Sequence, residues 1–174
     1  MYLPTELPHC VLRPWRAEDK PALLWYANNR KVWRNLTGMF PHPYAEADAD
    51  RWLAVAASSD ASIYLAIEAR GQAAGSISVI ADENTGQHTG QIGYWLGEPL
   101  WGQGIATASV RSLAAYALAR PRFERLEAQV LAWNPPSMRV LEKAGFTREG
   151  VLRQNVFKDG DLIDSVMYAR VRNA

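Results

Sequence analysis

The sequence contains one cysteine, Cys10, so no disulfide can close within the chain, and its neighbours Val11 and Leu12 predict a buried, inert thiol. Its three histidines, His9, His42 and His88, share no ligand spacing with one another or with nearby carboxylates, so no metal site is expected. An excess of one charge is missing too. The 19 basic and 18 acidic residues leave a formal charge of +1, which gives no electrostatic basis for sequence-independent binding to nucleic acid or to a membrane surface. No run of 18 apolar residues occurs, and Met1 to Glu6 lacks both a basic region and an apolar run, so neither a span nor a leader is expected and the location is expected to be cytoplasmic. Linkers and internal repeats are also absent. The 174 residues, 48% of them hydrophobic, therefore read as one globular domain over 1–174 that buries about 70% of its unfolded surface and acts on a small or peptide substrate.

What is present centres on Gln91 to Thr107. Ile92 to Leu96 is aromatic and branched, as a strand requires, and Gly97, Pro99, Gly102 and Gly104 then punctuate a turn. Behind it Ala106, Val110, Leu113, Ala114 and Ala117 recur at the spacing of an amphipathic helix. Strand, glycine turn and helix follow in order, and backbone N–H groups at the first turn of such a helix attract an anion such as a phosphate. A P-loop is excluded because no lysine stands near Gly104. A dinucleotide fingerprint stays open as an alternative, with Thr107 at the third small position and Glu124 or Glu127 as its acidic residue.

Elsewhere, Cys10 to Trp15 reads as a short strand and Glu18 to Asn29 as a helix with Pro21 in its first turn. Arg30 to Tyr44 is apolar but broken by Pro41 and Pro43, and reads as a structured loop beside a binding site. A second helix carries Ala49, Trp52, Leu53 and Ala56 on one face. Ile63 to Glu68 and Ala73 to Ile80 form a hairpin through Arg70-Gly71-Gln72, and Asp82 to Thr89 is a polar loop. Leu126, Ala128 and Val130 alternate in a strand that ends near Trp133. Asn134 then caps a helix with prolines in its first turn, and Gly145 closes it with Phe146 packing back. Val151 to Phe157 and Ile163 to Val171 form a last hairpin around Asp159-Gly160. Three consecutive strands before the glycine turn argue for a mixed sheet and against a doubly wound one.

Two stretches carry a resemblance. Trp101-Gly102-Gln103-Gly104-Ile105-Ala106 resembles the pyrophosphate-binding turn of the GNAT superfamily of acyl-CoA-dependent N-acyltransferases, with Trp101 where glutamine or arginine is common. Asn134-Pro135-Pro136-Ser137, followed by Leu141-Glu142-Lys143-Ala144-Gly145-Phe146, resembles the second signature of that superfamily. Arg13-Pro14-Trp15, Phe40-Pro41-His42-Pro43-Tyr44 and Phe146-Thr147-Arg148-Glu149-Gly150 are similar to the branch of ribosomal-protein N-terminal acetyltransferases.

The resemblance implies a mixed α/β fold: a mostly antiparallel sheet of roughly seven strands flanked by about four helices, in the order β-α-α-β-β-β-α-β-α-β-β. It implies acetyl-CoA as co-substrate, held by Trp95, Leu96, Gly102, Gln103, Gly104, Ile105, Ala106, Thr107, Asn134 and Ser137, with a backbone N–H near Trp95 or Leu96 aimed at the thioester carbonyl. Leu141 stands where many members carry the tyrosine that protonates the thiolate, which leaves the Ser137 hydroxyl as catalytic acid. Val156 stands where the ribosomal-type branch has its glutamate base, so a water chain, or one of Glu68, Glu83, His88 and Glu98, must take the proton. Asn28, Asn29, Trp33, Tyr44 and Tyr94 are expected to line the acceptor site, for a small amine or a peptide N-terminus, in a monomer or homodimer. The alternative in a different class is a catalytically silent acyl-CoA-binding module.

Overall fold

The computed structural model describes residues 1–37, 39–58, 62–81 and 88–172. Strands β1 (Leu3–Pro4) and β2 (Cys10–Arg13) lead through a 3-10 turn at Ala17–Asp19 into helices α1 (Lys20–Ala27), α2 (Arg30–Arg34) and α3 (Glu46–Ser58). Three strands follow, β3 (Ile63–Ala69), β4 (Gln72–Ala81) and β5 (Thr89–Leu96), then α4 (Ile105–Leu118), β6 (Arg125–Leu131), α5 (Pro135–Lys143), β7 (Thr147–Lys158) and β8 (Asp161–Val171). One sheet holds them in the order β1-β2-β3-β4-β5-β6-β8-β7, antiparallel at every step except β5–β6. The mixed, mostly antiparallel fold is as expected, with eight strands where about seven were expected. The extra strand, β1, has two residues and is too short to leave a periodic trace.

Local rules explain most of the elements. Both hairpins use two-residue turns with positive φ at each position, Arg70 (54°) with Gly71 (79°) and Asp159 (56°) with Gly160 (90°), the geometry that matches strand twist. The end of α5 closes as a paired cap. Gly145, at φ 84°, donates its N–H to Glu142 O at 3.1 Å, and Phe146 donates to Leu141 O at 3.0 Å.

Boundaries moved in the N-terminal third. Strand β2 stops at Arg13 rather than Trp15, since Pro14 has no N–H to give the ladder. The helix expected from Glu18 begins at Lys20, after the 3-10 turn, with Pro21 in its first turn. Within the expected loop from Arg30, residues 30–34 form α2, because the Asn29 side chain accepts the N–H groups of Lys31 (2.8 Å) and Val32 (3.3 Å). The expected polar loop Asp82 to Thr89 falls largely on residues 82–87, outside those described, and Thr89 already belongs to β5.

Two apolar clusters share the sheet. The larger joins Leu12, Ile67, Ile77 and Ile92 of the strands to Val110 and Leu113 of α4 and Leu141 of α5. The smaller gathers Leu23, Ala27, Val32, Tyr44, Ala49 and Trp95 beneath α1, α2 and α3. Alternation along β5 sends Trp95 to the small cluster, where the Phe40 ring lies 5.9 Å away, while Ile92, Tyr94 and Leu96 face the large one. A buried ion pair anchors this end. Arg13, 2% exposed, donates two hydrogen bonds to Asp19 (2.7 and 2.8 Å) and one to Glu68, tying β2 to the 3-10 turn and to β3.

The feature that positions the site is where β5 and β6 part. They pair only through Thr89, Gly90 and Gln91, opposite Arg125, Leu126 and Glu127. From Ile92 onward β5 is bonded to β4 alone, so its other edge is open to the space before β6.

Candidate active site

A cavity of about 470 Å3 fills that space, within the range of small-molecule sites. Its walls are the second half of β5, the glycine turn and first residues of α4, the middle of β6, one face of α5, and Val32, Asn35, Leu36 and Thr37 from α2 and the chain behind it.

The glycine turn is shaped by the sign of φ rather than by lack of room. Gly102 and Gly104 stand at φ 76° and 78°, and a Cβ added at either would meet no protein atom within 4 Å. Both glycines belong to the cavity lining. Gly104 is the N-cap of α4, and its carbonyl accepts from Ala108 at 3.0 Å. The first turn carries no acidic residue, so the N–H groups of Ile105, Ala106 and Thr107 face the cavity without a competing negative side chain. Trp101 has a structural task here: its indole N–H donates to Leu96 O at 2.7 Å and closes the turn over the end of β5. Gln103 lies outside the lining and bonds Arg70 (2.8 Å) and Pro99 O (3.0 Å) instead.

The direction of the β5 peptides follows from one bond. Gly97 donates to Ala74 O at 2.8 Å, toward β4. Because N–H groups alternate along a strand, the Leu96 and Tyr94 N–H groups point away from β4 into the cleft, and that of Trp95 is turned to β4.

Across the cavity, Asn134 caps α5 by accepting the Ser137 N–H on its side chain at 3.3 Å. This sets Ser137 in the first turn with its hydroxyl 2.7 Å from the Tyr94 hydroxyl, which also lies 3.2 Å from Ser137 O. Burial pushes the Tyr94 phenol up to about 12, so it stays protonated at neutral pH. Arg139 and Lys143, two and six residues further along α5, add two cations to the same lining.

Outside the lining, long-range pairs hold α2 in place. Arg30 of α2 donates to both oxygens of Asp159 in the β7–β8 turn, at 2.8 and 3.0 Å, and Arg34 reaches the same carboxylate at 3.6 Å. Lys158, buried, lies 3.8 Å from the centre of the Trp33 ring, and Arg34 lies 4.1 Å from that of Trp133. Burial holds the Lys158 ammonium below the usual lysine range, and its Nζ has no hydrogen-bond partner.

Of the residues expected along the acceptor site, Tyr94 lines the cavity and Asn28, Asn29, Trp33 and Tyr44 do not. Asn28 accepts the Tyr44 N–H at 3.1 Å, and Asn29 caps α2 and donates to Glu98 at 2.9 Å. Trp33 stacks on His42 at 5.4 Å, and Tyr44 is buried beside Phe40. The expected cofactor residues apart from Gln103 all line the cavity. Sequence reasoning missed Leu36, Thr37, Arg139 and Lys143. The last two could have been found, since they share a helical face with Pro136 and Val140 at spacings of three, four and seven.

Residues 9–147 match the family model of the acetyltransferase (GNAT) domain. The chain belongs to the GNAT acetyltransferase family. It is 42% identical over 86 residues to a probable N-acetyltransferase, YjcK, of Bacillus subtilis, covering 49% of this chain and 48% of that protein. It is 34% identical over 83 residues to the ribosomal-protein-serine acetyltransferase of Escherichia coli, covering 48% and 46%. In both the match spans about half of the relative's own length. Among solved structures, a RimL ribosomal alpha-N-protein acetyltransferase in complex with coenzyme A superposes with a TM-score of 0.87 at 25% identity, over 100% of this chain and 99% of that one.

In this GNAT domain no carboxylate or imidazole stands among the described residues of the cavity lining. Glu68 is held by Arg13, while Lys31 and Asn29 hold the Glu98 carboxyl below its usual range. Glu83 lies outside the described residues. No group of three or more metal-ligating side chains is found among the described residues, and none of the described helices is long and apolar enough to cross a membrane.

Proposed function

We propose that this GNAT domain transfers the acetyl group of acetyl-CoA to a primary amine by direct attack in a ternary complex. The observation that carries the reading is the convergence, in one cavity, of a free strand edge, an uncovered helix N-terminus and a hydroxyl pair. The chain's own groups fit the co-substrate. The α4 N–H groups behind Gly102 and Gly104 offer donors and a favourable dipole to a pyrophosphate, with Arg139 and Lys143 beside them for further phosphate charge. The open edge of β5 pairs with an extended amide-bearing arm, and the Leu96 N–H donates to the thioester carbonyl as its oxygen gains charge. One such donor is worth about 3 kcal/mol.

Ser137 gives its proton to the sulfur, aided by the N-terminal end of α5. With no carboxylate in the lining, the amine's proton leaves through water.

The acceptor is read as a small primary amine or a short N-terminal segment. Support comes from Val32, Asn35, Leu36 and Thr37, which wall the cavity, and from the bonds that hold α2 to the β7–β8 turn. Competition of peptide libraries against amino acids, polyamines and aminoglycosides, with products identified by mass spectrometry, tests both levels. Free thiol released with any amine supports transfer. CoA binding without turnover across the panel supports the silent binding module instead. Affinity that keeps rising as residues beyond the first three are added would overturn the narrow approach.

A further inference from the structure

We propose that Tyr94 directs and replenishes the Ser137 proton, making it the positioning residue of the leaving-group step. The proposal rests on the acyl-transfer reading above and goes further by naming the group that stands behind Ser137.

The argument begins with proton counting. The Ser137 hydroxyl has one proton and two lone pairs, and its close partner is the Tyr94 hydroxyl at 2.7 Å. Tyr94 has two acceptors in reach, Ser137 Oγ and Ser137 O at 3.2 Å. If the phenol donates to the carbonyl, the 2.7 Å contact requires Ser137 to donate to Tyr94, and its proton points away from the thioester. If the phenol donates to Ser137 Oγ, the serine proton is free to turn into the cavity. The phenol is the more acidic hydroxyl and therefore the better donor, and 2.7 Å is the optimum for an O–H···O bond while 3.2 Å is long. Tyr94 thus selects the arrangement in which Ser137 can act.

Placement supports the same role. Ser137 is fixed at both ends, its N–H by the Asn134 side chain and its hydroxyl by Tyr94. Tyr94 lies two residues before Leu96 on the same face of β5, so one strand sets both the oxyanion donor and the relay.

The step balances without another reactant. The C–N bond forms and the C–S bond breaks, and the sulfur takes the Ser137 proton as Ser137 Oγ takes that of Tyr94. The proton shed by the new amide nitrogen returns through water to the Tyr94 oxygen. The products are the amide and the free thiol.

Tyr94→Phe in the full chain tests this. The expected result is a fall in kcat of about 10-fold, with the CoA dissociation constant and the acceptor KM unchanged and the thermal midpoint close to wild type. Combining it with Ser137→Ala should give a kcat no lower than Ser137→Ala alone, because both act on one proton. Replacing Tyr94 with 3,5-difluorotyrosine, which keeps the shape and makes the phenol more acidic, should restore turnover near neutral pH and move the alkaline limb of the kcat profile downward. Wild-type kcat in a folded Tyr94→Phe, or losses that multiply in the double variant, would overturn the relay alone. An alkaline limb unmoved by fluorination would do the same. A wild-type chain that binds CoA and turns over nothing would overturn the acyl-transfer reading and the relay together.

Discussion

The two walls of the cleft are held by contacts of different reach. On the side of β5, α4 and α5 the decisive bonds are short in sequence: Trp101 to Leu96 across five residues, Ser137 to Asn134 across three, Ala108 to Gly104 across four. They involve backbone groups whose direction is set by a glycine, a cap or a strand. On the side of α2 and the β7–β8 turn, Arg30 meets Asp159 across 129 residues, and Arg34, Lys158, Trp33 and Trp133 meet as side chains. Of these, the Arg30–Asp159 pair is largely exposed on its arginine side and contributes little to stability, while Lys158 is buried. The difference teaches that the wall proposed to hold the co-substrate is set by local backbone geometry, whereas α2, beside the proposed acceptor approach, is held by side-chain contacts. Specificity can then change without loss of the chemistry.

The largest effect should come from the buried ion pair that ties β2 to the 3-10 turn and to β3. Arg13→Ala leaves buried Asp19 and half-buried Glu68 without their cation and should lower stability by about 3–5 kcal/mol, read as a fall in the denaturation midpoint. The same site sets an acid limit. Burial alone would raise the Asp19 carboxyl, but the Arg13 hydrogen bonds and the Arg16 N–H outweigh it and hold it below its usual range. A depressed carboxyl contributes in full above its unfolded value near pH 3.9, and the contribution is lost as pH falls through the lower folded value. Acid unfolding of Asp19→Asn should therefore lack this component below about pH 4. Equal acid profiles for wild type and variant would show that the pair adds nothing.

Next in size, Gly104→Val forces a branched residue into positive φ at the α4 cap and places a side chain in the anion space. CoA affinity measured by calorimetry should fall by about 100-fold or more while the circular dichroism of the folded chain persists. A folded variant with wild-type affinity would break the view that backbone groups make this wall.

Ser137→Ala should reduce kcat by about 10-fold to 100-fold with the CoA dissociation constant nearly unchanged, since water can replace a lost hydroxyl. Unchanged turnover would leave Ser137 with its capping place alone.

The smallest expected effect sharpens the contrast. Asp159→Asn removes the carboxylate shared by Arg30 and Arg34 and should raise the acceptor KM by about 2-fold to 5-fold, as expected for exposed pairs, with CoA affinity unaffected. A large loss of CoA affinity would mean that the walls are coupled rather than separate.

How much of this was legible follows the same division. The glycine turn, the Asn134 cap, the Gly145 closure and both two-residue hairpins are local patterns, and each is found at the expected residues. Helix α2 is not legible in the sequence because five residues carry too little periodicity, and it rests on Asn29, whose capping depends on backbone direction. Asn28 and Asn29 looked like polar pocket residues, yet both side chains serve the backbone nearby. No spacing rule connects Tyr94 to Ser137, 43 residues away on another element.

The sequence by itself determined the backbone: where glycine must accept positive φ, where an asparagine must cap, and which strand faces must be apolar, because these depend on neighbours within a turn or a pleat. Only the tertiary structure decided which side chains meet. The early parting of β5 from β6 opens the cleft, and it brings a hydroxyl from β5 to a hydroxyl on α5 and Arg30 to Asp159. Those meetings depend on the distance and angle between elements, which arise from packing the whole sheet and have no counterpart in residue spacing.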